Sequence, residues 1–118
     1  MPKPETEFWA VQQVDFTSCA SRARLMERIL SQDAAAGVAT RILRFDPGAD
    51  TTPDGVQRHD FWEEVYILEG SITDLRLGQT FTSGMYACRP PGMEHGPWRS
   101  TDGCLTFEVR YRAAPAQD

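Results

Sequence analysis

Residues 64–78, EVYILEGSITDLRLG, set the reading of the fold. They hold two short runs rich in strand-forming residues, 64–69 and 71–77, each stopped by a glycine, Gly70 and Gly78. Short runs of this kind between turn residues read as strands. The same grammar extends in both directions. Residues 38–45 (VATRILRF) end at Asp46-Pro47-Gly48, residues 80–82 lead into Ser83-Gly84, and residues 85–89 (MYACR) meet Pro90-Pro91-Gly92. Residues 104–112 (CLTFEVRYR) alternate cleanly, with Leu105, Phe107, Val109 and Tyr111 on one face. Turn signals at roughly eight- to twelve-residue intervals predict an all-β sandwich or barrel.

The chain is 118 residues long, the size of one domain, with 41% hydrophobic and 25% charged residues, a globular composition. Residues 1–7 and 113–118 read as loose tails, and nothing between them reads as a linker or a repeat. Apolar runs are too short for a membrane span, and the first residues alternate proline with charge, without the apolar stretch of a secretory signal. The expectation is a cytoplasmic protein. A net charge of −5 carries the wrong sign for tracking a phosphate backbone, so nucleic acid is not an expected partner. Three cysteines, Cys19, Cys88 and Cys104, with no CxxC spacing, are expected as thiols; Cys88 and Cys104 could pair across a ladder, but buried thiols are the commoner outcome. One stretch departs from the strand pattern. Residues 21–32 (SRARLMERILSQ) place Leu25/Ile29 and Met26/Leu30 four apart behind a capping-type Ser21, which on local grounds predicts a helix.

The only two histidines stand in conspicuous settings. His59 lies in Gln57-Arg58-His59-Asp60-Phe61-Trp62-Glu63, at the entry to an apolar strand. Extended chain would put Gln57, His59, Phe61 and Glu63 on one face, followed by Val65 and Ile67. His95 follows the rigid turn Pro90-Pro91-Gly92-Met93-Glu94. A single histidine near a strand end is ordinarily a surface residue. Two imidazoles and a carboxylate together suit one divalent transition metal and leave positions open for water or substrate. Gln57 is a possible fourth ligand through its amide oxygen.

The full spacing is Gly48, then His59-x3-Glu63-x6-Gly70, then Gly84-x5-Pro90-x-Gly92-x2-His95. It resembles the two motifs of the cupin superfamily, G-x5-HxH-x3,4-E-x6-G and G-x5-PxG-x2-H-x3-N. Residues 86–98, with Asp102-Gly103-Cys104-Leu105 after them, are similar to the ChrR-type cupins. Those include the metal-binding domain of a zinc anti-sigma factor and small stand-alone proteins. The resemblance implies a double-stranded β-helix, a jelly-roll barrel, with its core at about residues 38–112 after an N-terminal extension 1–37. It also implies an internal metal held by Gln57, His59, Glu63 and His95. Under it, residues 21–32 become a strand followed by a turn at Asp33 to Gly37, and strand is the expectation adopted. The sequence departs from the motifs at Gln57, where the first histidine would stand, at the longer interval around Thr51-Thr52-Pro53-Asp54-Gly55, and at Arg99, where the final asparagine would stand.

Phe61, Met93 and Trp98 are candidates for the substrate pocket, and Glu94 is a weak candidate for a proton shuttle. Tyr66, of opposite parity to Glu63, is expected to face outward, and of Arg41 and Arg44 at most one faces inward. The leading functional expectation is an enzyme acting on a small carbonyl or hydroxy-acid substrate. With iron it would be a dioxygenase; with zinc, nickel or manganese, an isomerase, lyase or cyclase. Zinc and iron are the first choices, and a Gln57 ligand favours the redox-neutral branch. The alternatives are a metal-binding sensor and a barrel without its metal. Resemblance also implies a homodimer, with Phe8-Trp9-Ala10-Val11 at the contact.

Overall fold

A computed structural model describes residues 2–19 and 24–112. Its strands are β1 (Thr17–Ser18), β2 (Leu25–Asp33), β3 (Val38–Phe45), β4 (Ala49–Asp50), β5 (Trp62–Asp74), β6 (Gln79–Thr82), β7 (Tyr86–Arg89), β8 (Trp98–Ser100) and β9 (Cys104–Tyr111). Two short 3-10 turns, Val11–Gln13 and Thr52–Asp54, are the only helical elements among the described residues. Among the described residues no helix is long and apolar enough to cross a membrane. All pairings are antiparallel, in the order β1-β2-β3-β9-β5-β8-β4, with β6 and β7 also on β5.

β5 organises the molecule and corrects the expectation that strands end at Gly70. The chain runs through that residue without a break. Before it, β5 pairs with β7 and β9; after it, with β6 and β8. Gly70 is a bend inside one strand, next to a bulge between Ile67 and Glu69, with φ +79°. A side chain there would begin 2.1 Å from the Gly103 carbonyl oxygen, so glycine serves both the left-handed backbone and a close strand crossing.

From Leu25 onward the helix-like segment is strand, hydrogen-bonded to β3 from Leu25↔Phe45 to Asp33↔Val38. A helix of about twelve residues is marginal by itself, and a full ladder to a central strand outweighs weak local propensity. Ser21 lies outside the described residues, as does the tail 113–118. Phe16 anchors the arm before β1, held between Arg28 and Arg44 at 4.1 and 4.4 Å. Phe8, further out, is fully exposed.

The barrel interior is graded along its axis. At one end Leu25, Phe45 and Cys104 lie in register and join Leu43, Ala49, Ile67 and Ile72 in the apolar cluster. One layer along, Glu27 and Thr106 flank Leu43, and beyond them Arg41 pairs with Glu108, then Glu63 with Arg110. β9 therefore turns Cys104, Thr106 and Glu108 inward and leaves Leu105, Phe107, Val109 and Tyr111 half-buried on the other face. Arg41 is the inward arginine; Arg44 bonds Asp46. Tyr66 is exposed.

The three thiols are free, Cys88 exposed and the others buried. Burial, then Glu27, pushes Cys19 up to about 11, and burial, then Glu108, does the same for Cys104. Native protein at pH 8 should therefore take up one equivalent of a thiol reagent, at Cys88, and three after unfolding. Cys88→Ser should remove the native reaction; uptake at Cys19 or Cys104 in folded protein would contradict the burial.

Candidate metal centre

Backbone hydrogen bonds bring the two histidine segments together. Gln57 N–H donates to the His95 carbonyl at 2.7 Å, and His95 N–H returns to the Gln57 carbonyl at 3.0 Å. Gly92 N–H then donates to the His59 carbonyl at 2.8 Å. With Glu63 near the start of β5, these bonds set the imidazole centroids 4.8 Å apart. One donor atom from each of His59, Glu63 and His95 lies within 4.8 Å of the others.

The three side chains face a cavity of about 480 Å³ that Gln57, Met93 and Trp98 also line. Glu63, 3% exposed, accepts at Oε1 from Arg89 Nη1 (2.9 Å) and at Oε2 from Arg110 Nε (3.0 Å). Burial alone would raise its pKa; Arg110 and then Arg89 outweigh that and hold it below the usual carboxylate value. Burial, then Arg89, pushes His95 down to about 4, and burial also lowers His59 against the pull of Glu63. Both imidazoles are therefore neutral at pH 7 and keep a lone pair for coordination.

His95 Nδ1 is buried and has no hydrogen-bond partner. Such an atom is costly unless something meets it. Each oxygen of Glu63 carries one hydrogen bond from an arginine, which leaves lone-pair capacity for a cation. Two neutral imidazoles, an anionic carboxylate and an unmet buried nitrogen fit a divalent transition metal.

The other candidate residues divide. Gln57 is half-buried, its Nε2 donates to the Asp54 carbonyl (3.0 Å), and its amide oxygen takes no hydrogen bond among the described residues. Met93 and Trp98 line the cavity. Phe61 does not. The chain bends at Asp60 and Phe61 before β5 begins, so the alternation expected from Gln57 to Glu63 is interrupted. Phe61 instead stacks on His59, centroids 4.6 Å apart and planes within 9°. Glu94 sits at the cavity rim, ion-paired with Arg58.

Several residues went unnoticed in the sequence. Arg89 and Arg110 clamp Glu63, and Glu27 and Glu108 bracket Arg41. Asp74, 1% exposed, accepts from Arg76 and Leu77 N–H at 2.9 and 3.0 Å and from Gly96 N–H at 3.2 Å, fixing the loop beside His95. The stop at Gly78 was legible, but the reach of Asp74 to Gly96 was not. Asp74→Ala should destabilise the protein by roughly 2–3 kcal/mol, since three backbone donors lose their acceptor. Urea unfolding checks this, and a change below about 0.5 kcal/mol would contradict it.

No curated protein matches the sequence. Among solved structures, an RmlC-like cupin from Shewanella frigidimarina is similar at 21% identity over 96% of both chains, TM-score 0.72. The polyketide cyclase RemF from Streptomyces resistomycificus is similar at 16% identity, over 97% of this chain and 89% of that one, TM-score 0.69. An acetylacetone dioxygenase from Acinetobacter johnsonii is similar at 14% identity, over 90% and 72%, TM-score 0.69. At these identities the likeness establishes the cupin fold. A family model described as the ChrR cupin-like domain matches residues 5–113. The chain belongs to that family of cupins.

Proposed function

We propose that the chain binds one divalent transition metal through His59, Glu63 and His95, with Gln57 as a fourth donor, and uses it to act on a small carbonyl compound or hydroxy acid. The observation that carries this reading is the convergence of those three side chains on a cavity of about 480 Å³, with His95 Nδ1 buried and unmet. Structural neighbours that include a polyketide cyclase and an acetylacetone dioxygenase support a small oxygenated substrate.

When bound, the metal supplies Lewis acidity toward carbonyl or hydroxyl oxygen. The protein prepares the rest. Arg89 and Arg110 keep the Glu63 carboxylate ionised and fixed in direction. Phe61 sets the plane of the His59 ring from behind. Val65, Ile67 and Trp98 supply apolar wall, which limits water and strengthens electrostatic interactions with a bound ligand. Gln57 is a neutral donor where the superfamily motif has imidazole, which favours an isomerase, lyase or cyclase over a dioxygenase.

Elemental analysis of protein purified without chelators tests the reading. About one zinc per chain supports the redox-neutral branch, and about one iron supports oxygen chemistry. Absence of metal even after reconstitution would remove both. Stoichiometric metal without turnover on β-diketones, hydroxyketones and hydroxy acids would favour the sensor instead. The exposed Phe8 supports a homodimer through the N-terminal arm; sedimentation should give twice the 13.3 kDa chain mass, and a concentration-independent monomer would refute it.

A further inference from the structure

Four arginines line the cavity, and they are not equivalent. Arg76 is exposed at the rim and donates from Nη2 to the Glu94 carbonyl (3.3 Å). Arg41 donates from Nε and Nη2 to Glu108 Oε1 (3.1 and 3.0 Å) and from Nη1 to Glu27 Oε2 (2.6 Å). All three of its nitrogens meet carboxylate, so Arg41 is closed and serves the barrel wall.

Arg89 and Arg110 are open. Their side chains are 13% and 26% exposed, yet each makes a single hydrogen bond, both to Glu63. A guanidinium carries five N–H groups, so four on each remain without a hydrogen bond among the described residues. Aromatic faces hold the two groups where further carboxylates might have stood: Arg89 lies 5.2 Å over Trp98 and Arg110 5.0 Å over Phe61. An aromatic face steadies a guanidinium plane and leaves its donor edge free. Around Glu63 two cations share one anion, and a bound metal would add further positive charge.

We propose that Arg89 and Arg110 form an anion subsite beside the candidate metal ligands, so that the cavity selects small molecules bearing a carboxylate, such as a keto acid or hydroxy acid, over neutral diketones. This rests on reading the cavity as a small-molecule site and narrows its substrate class. A planar carboxylate matches the paired N–H edge of a guanidinium. Its arrival gives these charged donors an anionic acceptor beyond Glu63. The aromatic and aliphatic wall then encloses the remainder of a small ligand in about 480 Å³.

Calorimetric titration tests the subsite with pairs of similar shape and different charge: pyruvate against butane-2,3-dione, and acetoacetate against acetylacetone. It is run on metal-free and on metal-reconstituted protein, with metal content measured separately. In both forms each acid should bind at least about ten-fold tighter than its neutral counterpart. Arg89→Gln and Arg110→Gln should each erase most of that preference, read on the metal-free form because both side chains also orient Glu63. Equal affinity for acid and neutral partner in the parent protein overturns the proposal, and needs no variant. Acid preference that survives in both folded Gln variants also overturns it. A parent protein without metal that still prefers the acids would sink the metal reading and leave the subsite standing; stoichiometric metal without acid preference would do the reverse.

Discussion

His95→Ala is expected to lower metal content from about one equivalent per chain to below about a tenth, with the barrel still folded. Removal of groups that merely support a ligand costs roughly 10–100-fold in metal affinity, and removal of a ligand should exceed that. The substitution deletes one of the three His and Glu donors that converge within 4.8 Å among the described residues. Stability should change little, because the lost side chain includes a buried nitrogen with no partner, and the two backbone hydrogen bonds to Gln57 need no side chain. Elemental analysis beside a thermal melt separates the two effects. Unchanged metal in folded His95→Ala would dismiss this histidine as a ligand and, with it, the proposed centre.

Gly70→Ala is expected to cost roughly 4 kcal/mol or more, which for a chain of this size lowers the melting temperature by about 10–20 °C. The left-handed backbone accounts for about 1 kcal/mol. The remainder comes from a methyl group that would start 2.1 Å from the Gly103 carbonyl oxygen and 3.0 Å from Cys104 Cα. Both obstacles are backbone and cannot rotate aside, so the β5–β9 ladder must shift. Gly78→Ala is the internal control. It has similar φ, +66°, and nothing within 4 Å of the added methyl, so about 1 kcal/mol is expected. If the two alanine variants melt together, the crossing at Gly70 is not as tight as described.

Glycines and prolines made most strand ends legible, because turns need particular backbone angles and only a few residues supply them. They misled at Gly70, where a positive φ inside a strand leaves the same signature as a turn. Residues 21–32 carried helical spacing, and the partner strand that decides the conformation from Leu25 onward is distant information. His59, Glu63 and His95 were legible because two imidazoles and a carboxylate stood at motif spacing. Arg110 and Glu108 were hidden for a different reason. In β9 the apolar parity drew attention, yet the inward parity is the polar one, since this part of the interior holds charged pairs in place of an apolar core. Phe61 was assigned to the cavity because strand alternation was extended through Asp60, where the chain bends.

The uninterrupted course of β5 has a bearing on how accurately the two halves of the centre can be spaced. Glu63 stands near one end of that strand, and Asp74, at the other, grips the peptide next to His95. Had Gly70 marked a true chain reversal, carboxylate and imidazole would have ridden on separately adjustable pieces. Instead a single span of polypeptide acts as the gauge bar between them, and the separation of the donors is written into its length.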